Sequence, residues 1–147
     1  MKIDNTAISI IKELREGRRS FRKIAQRVGV SENTVRARVA AMEEEGLLAV
    51  SGLVDPEALH SHSLVFVGVK LATMELLRKG EEFSRLRGVV SVAVVTGRYD
   101  LILQVLLNQD FGLLQFYTDE VSRISEVQSV ETFVVYKGYN TRVPYVL

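Results

Sequence analysis

The hydrophobic period changes once along this chain, near Leu47, and that switch limits the possible folds more than any other feature. Before it, apolar residues recur at helical spacing; after it, they gather in short runs of strand length. With 147 residues and 47% apolar content, the chain can build one ordinary domain or two small ones. The change of period points to two.

In the first half, Ile3, Ile10, Ile11 and Leu14 form an apolar stripe on a helix that Asp4 can cap and Glu16-Gly17 ends. A second helix starts at Ser20, turns Phe21, Ile24, Ala25 and Val28 inward, and stops at Gly29. The third starts at Ser31 and buries Val35, Val39 and Met42 at i, i+4 and i+7, with Gly46 just past its end. Residues 1–47 thus read as a compact tri-helical domain. The stretch LLAVSGLVDPEAL reads as an isolated extended segment that Asp55-Pro56 breaks, so 48–62 is expected to be a linker.

Residues 63–147 predict strands at 63–71, 89–96, 99–107 and 128–137, with helices near 74–87 and 110–124. The order βαββαβ is a ferredoxin-like arrangement, which makes the chain α+β. Two helices cover one face of a four-stranded sheet. The other face should alternate polar with apolar residues, yet Leu101–Leu107 is interrupted only by Gln104, and Leu64–Val69 and Val92–Val95 are similarly apolar. Exposing several such side chains costs many kcal/mol at roughly 25 cal/mol per Å². The uncovered face is therefore expected to pack on a second copy, as an obligate homodimer.

Charge separates the halves further. Residues 1–50 hold ten Lys/Arg against seven Asp/Glu, and residues 51–147 nine against eleven. Between Lys12 and Arg38 the balance is nine basic to three acidic, a pattern suited to a polyanion. The stretch AQRVGVSENTV has helix-turn-helix spacing: small Ala25 at the helix crossing, Gly29 at the corner, Val35 as the anchor of the next helix. The outer face of that helix presents Asn33, Ala37 and Ala40, with Glu32, Thr34 and Arg36 near its start, where bases are contacted in this motif. Asparagine pairs with adenine, arginine with guanine, and glutamate accepts from cytosine; the alanines keep the face low enough for a groove about 12 Å wide. Arg22, Lys23 and Arg38 suit phosphates. With Ser20 and Ser31 at the two helix starts, the expected DNA-facing set is Ser20, Arg22, Lys23, Ser31, Glu32, Asn33, Thr34, Arg36, Ala37 and Arg38. Two such helices related by a dimer axis would read a pseudo-palindromic duplex site.

Other chemistries find little support. There is no apolar run of membrane-spanning length, and the N-terminal stretch has no secretory-signal pattern. Cysteine is absent, so no disulfide, thiolate site or thiol nucleophile exists, and a cytoplasmic setting is expected. No Walker loop or GxSxG is present, and His60 and His62 alone are too few for a structural zinc site. No cofactor is expected and no metal.

Taken together, IDNTAISII, RRSFRKIAQRVGVSENTVRARVAAMEEEGLL, VDPEAL, TGRYDLILQV and VETFVVYK resemble the Lrp/AsnC (feast/famine) family of transcriptional regulators along nearly the full chain. The resemblance implies a helix-turn-helix domain followed by a small-molecule-responsive domain, dimers that assemble further, typically to octamers, and amino-acid effectors. It nominates Gly97, Arg98, Tyr99 and Asp100, with Glu131 and Thr132, for effector binding. Gly97 would let backbone approach a ligand carboxylate and Asp100 would hold an ammonium; the alternative is a tight hairpin at Gly97 whose turn Asp100 caps. The chain departs from the family pattern at Glu126, where glycine is usual, at Val130, where threonine is common, and at Ala7, where aspartate is common. Two alternatives share the architecture: a sirohaem-decarboxylase-like enzyme, and a DNA-compacting protein that binds many sequences equally.

Overall fold

A computed structural model describes residues 3–147 and divides the chain into two compact units, the first ending at Ser51 and the second spanning Gly52–Leu147. The first unit is built from α1 (Asn5–Leu14), α2 (Phe21–Val28) and α3 (Glu32–Glu44). Each start has a side-chain cap. Asp4 accepts from the Ala7 N–H at 2.8 Å, Ser20 Oγ from Lys23 N–H at 3.3 Å, and Ser31 Oγ from Thr34 N–H at 3.1 Å. Serine caps of this kind contribute about 1 kcal/mol each. Ala7, Ile10, Ile24, Ala25, Val35, Val39 and Met42 form the core, and Leu48 closes it from beyond α3. Ile3, expected on the α1 stripe, is instead 43% exposed. Asp4 takes the extended cap conformation, so the helix begins only after it, and Ala7 fills the buried place.

The second unit contains β1 (Ser63–Leu71), α4 (Leu76–Ser84), β2 (Val89–Val94), β3 (Leu101–Leu107), a composite helix α5 over 113–123, and β4 (Val127–Val134). The sheet is antiparallel in the order β2-β3-β1-β4. Val65, Val67, Val69, Leu101, Leu103 and Val105 point to the helix-covered side, where they pack with Phe83 and Phe116. Within α5, an α turn (Leu113–Gln115) passes into a π turn (Phe116–Glu120) and a 3-10 turn (Val121–Arg123). The Val121 N–H donates to the Phe116 carbonyl, which brings Phe116 and Val121, both buried and five residues apart, onto one face.

Three observations differ from the sequence reading. The strands expected to reach 96 and to start at 99 stop at Val94 and begin at Leu101, because 95–100 form a loop closed by Val95 N–H to Asp100 O at 2.9 Å. The strand expected over 128–137 ends at Val134; the chain then turns so that Lys137 and the Gly138 N–H both bind Glu57. Lys137, then the Gly138 N–H, hold the Glu57 carboxyl below its ordinary range. Finally, the stretch 48–62 is not an isolated strand. Pro56–Ala58 is a 3-10 turn capped by Asp55, and Val54 forms a β-bridge with Val143.

That bridge changes the account of the second sheet face. Leu64 and Leu106 are buried there by the chain's own Val143, with Val54, Val90, Val135 and Val146 around them. The apolar excess noticed in the sequence is thus partly covered from within the chain. What remains open is a smaller patch around Phe66, Ile102, Ala93 and Phe133.

Lys79 on α4 carries no such signal in the sequence. It is fully buried, its Nζ 3.1 Å from Glu82 Oε2, 3.1 Å from Ser125 Oγ and 3.5 Å from Glu126 Oε2. Glu126, one of the departures noted in the sequence, has a left-handed φ of 63°, and its carboxylate also meets Arg78.

Candidate nucleic-acid interface and effector site

The surface of α3 follows from its core. With Val35, Val39 and Met42 buried, Asn33, Arg36, Ala37 and Ala40 are exposed. Gly29, at φ 79°, makes the corner between α2 and α3 and donates to the Ala25 carbonyl, a backbone state that other residues take only at a cost. Arg36 donates to Glu32 at 3.0 Å and lies over the Phe21 ring at 5.3 Å, so its guanidinium is oriented before any partner arrives. The Ser31 and Thr34 hydroxyls share a hydrogen bond of 2.8 Å, and Ser20 and Ser31 spend their oxygens on caps. Arg38 pairs with Asp4 at 2.9 Å, tying α3 to the cap of α1. The Ala7 N–H, then Arg38, hold the Asp4 carboxyl below its usual range. Arg22 and Lys23 are exposed and meet no carboxylate among the described residues. The DNA-facing set therefore separates into an outward group (Glu32, Asn33, Arg36, Ala37), free cations (Arg22, Lys23) and residues engaged in the fold (Ser20, Ser31, Thr34, Arg38).

The candidate effector residues separate more sharply. Gly97 lies at φ 120° in open space, and Arg98 lies over the Tyr99 ring at 5.9 Å. Tyr99 folds back across Gly68, where any Cβ would come within 2.7 Å of its ring, and its hydroxyl donates to Glu131. Phe133 meets the same ring edge-on at 6.1 Å. Thr132 sits on the opposite face of β4, sharing a 2.5 Å hydrogen bond with the Tyr117 hydroxyl. The side chains of Glu131 and Thr132 therefore point to opposite faces of the sheet. Nor is the Asp100 carboxylate free: the Leu71 N–H donates to it at 2.8 Å and Lys70 Nζ at 3.1 Å. It fastens β1 to the start of β3 rather than capping its own turn. Gly68 and Lys70, which sequence reasoning passed over, follow from the β1–β3 register, in which Val69 faces Leu101.

Those two donors, the Leu71 N–H first, lower the pKa of Asp100. A lowered folded-state value means that its stabilisation is complete above the ordinary aspartate range of about 4 and is lost as pH falls through the folded value. Asp100→Asn keeps an acceptor for Leu71 but loses the ion pair. The expected result is lower stability at neutral pH, with a gap to wild type that narrows toward acid. Urea titrations across that range would contradict the assignment if the gap stayed constant.

Residues 3–43 match the AsnC-type helix-turn-helix domain, and residues 64–144 match the Lrp/AsnC ligand binding domain. The chain belongs to the Lrp/AsnC family. The HTH-type transcriptional regulator FL11 of Pyrococcus horikoshii is 26% identical, over 94% of this chain and 90% of its own length. Escherichia coli AsnC has a solved structure that superposes with a TM-score of 0.69 at 25% identity, covering 94% of this chain and 95% of AsnC. A Neisseria meningitidis transcriptional regulator, NMB0573, solved with L-Met, shares the fold at a TM-score of 0.70 and 22% identity, covering 99% of this chain and 96% of that one. As an Lrp/AsnC protein the chain is a DNA-binding transcriptional regulator with a ligand-binding domain. Among the described residues, no helix is long and apolar enough to cross a membrane, and no three candidate metal ligands cluster.

Proposed function

We propose that α3 enters the major groove by its N-terminal half and reads base edges with Asn33, Arg36 and Glu32, giving a sequence-specific regulator that works as a homodimer on a roughly palindromic site. The carrying observation is the exposed surface of Ala37 and Ala40 beside an Arg36 already oriented by Phe21 and Glu32. Small side chains admit the helix to the groove, and the oriented guanidinium lowers the ordering cost of a bidentate guanine contact. The half-covered patch around Phe66, Ile102 and Phe133 supports a dimer that buries it, and further assembly of dimers to an octamer belongs to the same reading. The cytoplasm is its proposed setting.

For the effector we propose an amino acid, in keeping with the L-Met bound to the Neisseria regulator. Glu131, held by the Tyr99 hydroxyl, is better suited to an ammonium than Asp100, whose oxygens are already satisfied. Selection of bound duplexes from a random pool, with and without a panel of amino acids, tests both parts. Enrichment of one palindromic motif is expected, and equal recovery of all sequences would favour a compacting protein instead. Within that assay, Arg36→Ala is expected to relax selectivity at one position and to weaken specific binding by roughly 1–3 kcal/mol. Unchanged selectivity would remove Arg36 from the base-reading group.

A further inference from the structure

Four basic residues gather at the corner between α1 and α2, and three of them, Arg18, Arg19 and Arg27, lie outside the expected DNA-facing set. Arg18, Arg19, Lys23, Gln26 and Arg27, with Glu16, line a cleft of about 560 Å³. We propose that this cleft is a second DNA contact that holds a backbone phosphate beyond the base pairs covered by α3; it rests on the reading that α3 occupies the major groove.

The charges in the cleft are sorted by their partners. Arg19 pairs with Glu13 and with Glu16 at 2.7 Å, and Arg27 reaches the same Glu13 oxygen at 3.5 Å. Two carboxylates therefore immobilise two guanidinium groups, and Glu13 is the shared post between α1 and α2. Arg18 and Lys23 are exposed and meet no carboxylate among the described residues. Four cations against two carboxylates leave a surplus of two positive charges, enough for one or two phosphodiesters. Exposed cations and an amide donor around an open cleft match a phosphate, which is bound by charge, better than a base edge, which needs a flat bidentate pair.

Position supports the same occupant. Phe21, the first residue of α2, lies under Arg36 of α3, and Lys23, two residues further, lines the cleft. The first turn of α2 thus connects the α3 surface, through Phe21, to the cleft, through Lys23. A duplex seated on α3 would bring its flanking backbone toward that corner. Glu13 acts here as a positioning residue, since it sets the two arginines that wall the cleft.

The test uses the full chain and the duplex enriched by selection. Binding is measured over a salt series for wild type, for Arg18→Ala/Lys23→Ala and for Glu13→Gln, with ethylation interference mapping the contacted phosphates. The double variant is expected to flatten the log–log salt slope by about 0.9 per lost contact, on specific and random DNA alike. It should keep the ratio between the two and lose interference at phosphates outside the half-site. Glu13→Gln raises the surplus from two charges to three and unpins both arginines from their shared carboxylate, so it should change interference at the same phosphates and at no others. An unchanged slope and interference pattern in a double variant that melts like wild type would overturn the proposal while leaving the groove reading intact. Failure of the wild type to bind any duplex would remove both. Inorganic phosphate at matched ionic strength should displace DNA no better than chloride; selective displacement would make the cleft a free-anion site and overturn the backbone assignment.

Discussion

Gly88→Ala is expected to cost the second unit about 2–4 kcal/mol, because it combines two penalties. Gly88 has a φ of 81°, which an alanine enters only with strain, and a Cβ there would lie 2.8 Å from the Leu106 carbonyl oxygen and 2.9 Å from Phe111 Cε1. Neither neighbour can retreat cheaply. Leu106 is on the inner strand β3, and its N–H donates to the Gly88 carbonyl at 2.8 Å, while Phe111 packs edge-on against Phe116 and under Arg87. The protein provides a local reporter. It has no tryptophan, and its tyrosines, Tyr99, Tyr117, Tyr136, Tyr139 and Tyr145, all belong to the second unit. Tyrosine fluorescence in a urea titration should show the midpoint fall in proportion. A variant that unfolds at the wild-type midpoint would mean that the turn between α4 and β2 is looser than its geometry indicates.

The parts of the fold legible in the sequence were those where a local rule and the tertiary structure agree. Asp4, Ser20 and Ser31 cap the helices they precede, and Gly29 turns the corner that its lack of Cβ permits. The core strands announced themselves because both their faces are buried. The same apolar signal could not say what buries them, which is how Leu64 and Leu106 pointed to a partner when Val143 covers them. Covering by a distant tail is a long-range fact with no local trace. So are the ion pairs that remove Arg38 and Asp100 from the pool of free charges: each residue type suited the expected role, and its nearest neighbour in space had already engaged it. Glu131 and Thr132 differ from these, because strand alternation alone separates them and a period-two reading of β4 would have assigned them to opposite faces. The π turn in α5 follows the same logic in reverse. Phe116 and Val121 are both needed in the core at a spacing that an α-helix cannot bring to one face, and the backbone adjusts.

Replacing Ala37 by glutamate should have the largest effect on function and almost none on folding. Ala37 is exposed on α3, two residues past the buried Val35 and two before the buried Val39, so a longer side chain there projects away from the three-helix core. Glutamate is a good helix former, and the change costs the helix only a few tenths of a kcal/mol. In the groove the position is far less tolerant. A carboxylate would be placed between two phosphate strands, stripped of water, with Arg36 turned to a base edge, so it would carry an unpaired charge into the interface. Binding to the selected duplex is expected to fall by about 100-fold or more, with random DNA affected less, because non-specific binding does not require the helix to sit at full depth. Circular dichroism and the urea midpoint should match wild type. Ala37→Ser is the informative companion: a small hydroxyl fits the same space, so affinity should stay within a few-fold of wild type. If Ala37→Glu bound the selected duplex normally, α3 would not be inserted by this face, and the cations of α2 would have to account for DNA binding by themselves.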